Sequence, residues 1–222
     1  FCHGYVFFSG SYYLPLYFQA VLGATPLLSG AYLLPFALTL AFVSAATGVF
    51  IKKTGRYLPP IWFGLVTMTI GYGLFIDLDV NANWAKIIVF PIVAGIGLGP
   101  NFQSPLIALQ SSINPRDIAT ATATFGFTRN LSTAISVVIG GVVFQNQMFK
   151  KNAQLVAGLG SRLANELSGG SAGASIGLVQ SLPPAQQAVA KEAFFESLRT
   201  MWIMVWPIPF FLKTVQPKQI SY

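Results

Sequence analysis

The chain has 222 residues, 54% of them hydrophobic and only 9% charged, against roughly 25% charged in ordinary soluble domains. Water is therefore not its main solvent, and the apolar residues fall in runs of about 20, the length that crosses a bilayer's hydrocarbon. The net charge of +7 sits in short clusters between those runs rather than in a stripe or tail, which argues against a nucleic-acid partner. With Cys2 as the one cysteine there is no disulfide framework or thiolate metal cluster.

Phe1 opens directly on a membrane-length run without a basic leader, so the chain is expected to be a fragment. The first predicted span, Phe1 to Leu22, ends at Gly23-Ala-Thr-Pro26, where glycine and proline disfavour helix. The second runs from about Leu28 to Ile51 and stops in the basic turn Lys52-Lys53-Thr54-Gly55-Arg56. The third, about Leu58 to Ile76, gives way to an acidic loop holding Asp77 and Asp79. Trp84 sits as an interfacial anchor for the fourth, which reaches about Gln110. The fifth covers roughly Ile118 to Gln145. Residues 147–194 read as an extracellular loop in which Leu155, Leu159, Leu163 and Leu167, then Val189, Phe194 and Leu198, recur at the spacing of amphipathic surface helices, with a floppy loop as the alternative. A sixth span is drawn from about Ala193 to Leu212. It carries Glu196 and Arg199 near its start and Pro207 and Pro209 near its end, which leaves its full crossing open.

The expected architecture is thus all-α, a polytopic membrane bundle of about six transmembrane helices. Five lie in residues 1–146, the loop occupies 147–194, and the last helix and a cytoplasmic tail fill 195–222. Lysine and arginine in short loops are retained on the cytoplasmic side. Lys52, Lys53 and Arg56 therefore point inward, the acidic loop outward and Arg116 inward, with Lys150 and Lys151 as exceptions on the outer face.

Polar groups deep in a bilayer are the candidates for function. Arg129 lies about 16 Å into the fifth span, near the midplane. Thr122, Phe125, Ser132, Thr133 and Ser136 share its face at helical offsets, and that face is expected to line a cavity. Arg129 either holds an anionic substrate group, modulates proton coupling, or is a structural arginine bonded to carbonyls or a carboxylate. Gln103 and Gln110 share a face of the fourth span and bond either a ligand or a neighbouring helix. On the first span Phe8, Tyr12, Pro15 and Gln19 occupy one side. Gly95, Gly97, Gly99 and Pro100 suit close helix approach and a bend, and so a gating helix, and not a dinucleotide site, since they lie inside an apolar span without a preceding strand. His3 has no partner at ligand spacing, so neither metal, cofactor nor catalytic triad is expected, and no enzyme constellation emerges. No carboxylate lies deep in any span.

Tyr13-Leu-Pro-Leu-Tyr-Phe-Gln19, Ser29-Gly30 with Leu34-Pro35, Gly48 with the Lys52 to Arg56 turn, Gly95 to Gly99 with Gln103 and Gln110, and Phe127-Thr-Arg-Asn130 together resemble the major facilitator superfamily, specifically fungal drug:proton antiporters of the fourteen-helix type. The resemblance runs from about Phe1 to Phe195 and implies the C-terminal half of that fold. Lys52, Lys53, Gly55 and Arg56 would match the recurring basic cytoplasmic loop, and Arg129 the embedded arginine of the penultimate bundle helix. The implied activity is export of drugs, toxins or secondary metabolites across the plasma membrane in exchange for protons. Arg129, Gln103, Gln110, Tyr12, Gln19, Phe125 and Asn130 would then face the cavity. The implied partners are membrane lipid, a small amphipathic substrate, protons and the missing N-terminal half, where the coupling carboxylate is expected. The alternatives are a non-transporting membrane interaction protein and an uptake carrier for an organic ion or siderophore.

Overall fold

Each apolar run folds into helix because a backbone in hydrocarbon has to satisfy its own N–H and C=O groups. The computed structural model describes residues 1–169 and 175–208, and no β-strand occurs among them. Helix α1 spans Cys2–Leu16 and continues as a wider π turn over Tyr17–Val21, just after Pro15 removes a ladder bond. Helix α2, Pro26–Thr54, starts at Thr25, whose hydroxyl accepts from the Leu28 N–H at 3.3 Å, with Pro26 in the first turn. It stops at Gly55, whose φ of 68° is a left-handed C-cap that favours glycine. Helix α3, Leu58–Leu74, tightens into a 3-10 turn at Phe75–Asp77. Asn83 caps α4, Trp84–Ser111, by accepting from the N–H groups of Ala85 and Lys86. Helix α5 covers Ile118–Lys150. Three short helices follow, α6 (Asn152–Leu159), α7 (Ser161–Gly169) and α8 (Ser175–Ser181), before α9 (Pro184–Val205).

Helices α2, α3, α4 and α5 are long and apolar enough to cross a membrane. The six spans expected from the sequence therefore divide into these four and two more polar helices. Within α1 and its π turn lie His3, Ser9, Ser11, Gln19 and four tyrosines, while α9 carries Lys191, Glu192, Glu196 and Arg199. Both are covered by protein on much of their surface. Trp202 meets Tyr17 edge-on and Phe75 at a tilt in the buried core between α9 and the ends of α1 and α3.

The boundary expected at residue 194 moves. Helix α9 begins at Pro184, following Pro183, so Val189, Phe194 and Leu198 belong to the last long helix and not to a separate surface helix. Leu155 and Leu159 lie on α6 and Leu163 and Leu167 on α7, with a break at Gly160, φ 84°. Leu155, Leu159 and Leu167 are buried against protein, since α6 packs on α9 and α7 on α5. Part of the Gly/Ser/Ala-rich stretch near Gly169 to Gly177, the end of the sixth span and the tail with Lys213 and Lys218 lie outside the described residues.

The Tyr17 hydroxyl donates to the Asp79 carbonyl at 2.5 Å, which puts the end of α1 beside the α3–α4 loop. Successive long helices reverse direction, so Lys52, Lys53, Arg56 and Arg116 share the opposite end of the bundle. Lys151, one of the two charge exceptions, follows the C-terminal end of α5 and is paired with Glu196 on α9. An ion pair of this partly exposed kind is worth about 0.2–1 kcal/mol. A double-mutant cycle with Lys151→Ala and Glu196→Ala is expected to return a coupling of that size, while a coupling of zero in thermal unfolding would remove the pair from the account of how α9 is held.

Helix α4 is threaded between α2 and α3, and glycine makes the passage possible. A side-chain carbon on Gly97 would lie 2.5 Å from Met68 Cα, and one on Gly71 of α3 would lie 2.6 Å from Ala94 Cα. On the opposite face, Gly95 lies against the Phe36 carbonyl and Gly99 against the Ser44 backbone, both of α2. Packing at backbone distance replaces the hydrophobic drive that lipid cannot supply.

Candidate functional site

Helices α1 and α5 run parallel, joined by a seam of small and hydroxyl side chains. Gly4 faces Ser132, Ser9 Oγ lies 2.9 Å from Ser136 Oγ, and Ser136 donates to the Tyr5 carbonyl at 2.8 Å. Further along, the Tyr13 hydroxyl donates to the Val137 carbonyl at 2.9 Å, with its ring against Gly140. This seam corrects one expectation. Ser132 and Ser136, on the face of Arg129, are fully buried against α1 and line no cavity, because short hydroxyls let the backbones approach and bond main-chain carbonyls, Ser136 that of Tyr5 on α1 and Ser132 that of Arg129 on its own helix.

Beside the seam the two helices part. Phe8, Tyr12, Pro15 and Gln19 of α1 and Val137, Gly141 and Gln145 of α5 line a cavity of about 670 Å³, with Ile176 of α8 at its edge. Tyr12 is 57% exposed, whereas Tyr17 and Phe18 are buried in the core. The Gln19 side-chain amide donates to Ser29 Oγ at 3.4 Å, and the Gln19 main-chain carbonyl accepts from the Gln180 side chain of α8. Gln145 escaped notice in the sequence because it stood at the expected end of the fifth span; its offsets of four and eight from Gly141 and Val137 were the available signal.

Arg129 is half-buried, and its guanidinium lies over the Phe102 ring of α4, 3.6 Å from the centroid, a cation–π contact. Among the described residues no carboxylate pairs with it. Within the described residues, then, neither the carbonyl-bonded nor the carboxylate-bonded form of a structural arginine is formed. The Gln110 amide donates to Thr122 Oγ1 at 3.2 Å, a bond between α4 and α5 that takes up the group expected to meet either a ligand or a helix. Gln103 and Phe125 are half-buried. Asn130, about 100° round the helix from Arg129, is exposed on a different face and does not join it. Helix α4 remains one helix through Pro91, Pro100 and Pro105. Lys52, Lys53, Gly55 and Arg56 are all on the surface except for the cap they form.

A polytopic helical membrane bundle with a mostly apolar groove is the class these features define. Residues 1–137 match the Major Facilitator Superfamily, and the chain belongs to that family. It is 56% identical over 204 residues to MFS-type transporter ppz2 of Metarhizium majus, and 52% over 204 residues to efflux pump dotC of Dothistroma septosporum; each alignment covers 92% of this chain and 35% of the relative. Efflux pump FUS6 of Gibberella moniliformis is 38% identical over 148 residues, 67% of this chain and 26% of its own. The chain thus spans about a third of the length of the curated relatives it matches. No solved structure matches it. It is an integral, multi-pass membrane protein.

Proposed function

We propose that this bundle is part of a carrier that exports drugs, toxins or secondary metabolites in exchange for protons at the plasma membrane, acting with an N-terminal bundle of the same family. The observation that carries the reading is the cavity between α1 and α5. It is largely apolar with Tyr12, Gln19 and Gln145 as polar points, the make-up of sites that take amphipathic molecules. The relatives named as efflux pumps support the direction of transport. A second support is the outward face of α5, which presents Asn130 beside Phe127, 68% exposed. An amide facing hydrocarbon is costly, so this face suits a second bundle or a water-filled path. In the same reading, the Gly95, Gly97, Gly99 and Pro100 segment is where α4 bends as access alternates.

The test is export of a neutral fluorescent amphipathic dye from cells making this chain together with the N-terminal bundle of a relative. Export is expected with the native pair and is expected to fall several-fold with Tyr12→Ala or Gln19→Ala at equal membrane abundance. No export, with both bundles present together in the membrane, would overturn the proposal in favour of a non-transporting interaction partner.

A further inference from the structure

The basic turn that ends α2 opens onto an apolar groove. Lys52, Lys53 and Arg56 are exposed, and none of them joins an ion pair among the described residues. No carboxylate precedes Asp77 in the chain, and Asp117, at the same end of the bundle as the turn, pairs with none of the three. Just inside the turn, Val43, Thr47 and Phe50 of α2 and Pro59 and Phe63 of α3 line a groove of about 400 Å³ that reaches buried Pro100 of α4. Its hydroxyl is already used, since Thr47 Oγ1 donates to the Val43 carbonyl at 2.7 Å. The lining side chains therefore leave a guest no hydrogen bond to make. Phe50 and Phe63 are exposed, so the groove is open along the side of the bundle.

Charge and groove are in line. On α2, Phe50, Ala46 and Val43 stand three, seven and ten residues before Lys53, the offsets of a single helix face, so Lys53 continues that wall of the groove to the surface. Lys52 to Val43 is about 14 Å of helix, and the hydrocarbon of one leaflet is about 15 Å deep. Lysine and arginine place this end of the bundle at the cytoplasmic leaflet, whose surface is negative. A molecule that satisfies both parts has a flexible apolar chain and an anionic end. We propose that α2 and α3 hold one anionic phospholipid of that leaflet, with an acyl chain in the groove and its phosphate and headgroup on Lys52, Lys53 and Arg56. A zwitterionic lipid is the poorer match, because its own cation meets three others with no acid among them. A soluble phosphate would satisfy the charges and leave the groove without a guest. Such a site needs neither a direction of transport nor a transported substrate, so it goes beyond the export reading and does not rest on it.

The experiment is native mass spectrometry of the purified, delipidated chain titrated with phosphatidylserine and with phosphatidylcholine of the same acyl chains. One phosphatidylserine per chain is expected to bind at least about tenfold tighter than phosphatidylcholine. Glycerophosphoserine, the same headgroup without acyl chains, is expected not to compete. Lys52→Gln, Lys53→Gln and Arg56→Gln together are expected to remove the preference. Ala46→Trp, which fills the groove from an exposed position and leaves the charges in place, is expected to weaken phosphatidylserine binding at least about tenfold. Equal binding of the two lipids by the native chain would overturn the proposal, and that comparison decides even where a variant does not fold. Competition by glycerophosphoserine would overturn it in favour of a soluble anion. An Ala46→Trp chain that keeps its phosphatidylserine but no longer co-purifies with the N-terminal bundle of a relative would assign the groove to that bundle instead.

Discussion

Replacing Gly97 with valine is expected to abolish the folded bundle, while Gly30→Ala and Gly48→Ala leave it intact. The contrast follows from what each new side chain would meet. At Gly97 the added carbon runs into the backbone of Met68; α4 is backed by α2 through Gly95 and Gly99, and the same α3–α4 interface is already closed on either side by Asn101 and Ala94 of α4 against Gly64 and Gly71 of α3. Overpacking costs typically 1–3 kcal/mol where side chains can move aside. Here the obstacle is main chain, and making room means separating α3 from α4. Gly30 and Gly48, on α2, have nothing within 4 Å, so alanine there adds no clash and relieves part of the roughly 0.5–1 kcal/mol that glycine costs inside a helix. Yield of monodisperse protein after detergent extraction checks this. A well-folded Gly97→Val bundle would show that α4 has room to slide, and would remove close packing as the reason for the glycine run.

The same physics explains what could be read from the sequence and what could not. Helices α2 to α5 were legible because an apolar run of bilayer length has one outcome in lipid, and because Pro26, Gly55 and Asn83 mark their ends. The side of α1 that carries Tyr12 and Gln19 was legible from helical spacing, which brings Phe8, Tyr12, Pro15 and Gln19 onto one wall. Spacing says nothing, however, about which helix a face meets. The Arg129 face looked like a cavity wall because serines are polar, yet Ser132 and Ser136 turn out to be the seam with α1, since a hydroxyl is also a small group that bonds a backbone carbonyl. The start of α9 was obscured by its charges: Lys191 and Glu192 fell in residues read as loop, while Glu196, near the start expected for the sixth span, is paired with Lys151. The setting of His3 could not be read from spacing, because the Phe102 ring it meets edge-on is far away in the chain and adjacent only after folding.

Arg129→Ala is expected to reduce export of a carboxylate-bearing dye at least about tenfold at equal membrane abundance, equivalent to about 1.4 kcal/mol of lost interaction, and export of a neutral dye much less. An arginine retained for stability inside a membrane is paired, and removing it strands a buried charge, at a cost of about 3–5 kcal/mol that shows first as lost protein. Arg129 strands nothing, because its contact is the face of Phe102 and a ring left uncovered remains an apolar group in an apolar place. Abundance should therefore survive the substitution while anion transport does not. Arg129→Lys separates charge from shape: it keeps the positive charge but loses the planar fork that stacks on the ring and grips two oxygens, so export of the anionic dye should recover only in part. Measuring both dyes and the membrane abundance in each variant decides the matter. If abundance collapses with Arg129→Ala while export per molecule is unchanged, the arginine holds helices together; if abundance holds and only the anionic dye is lost, the charge beside Phe102 belongs to the substrate.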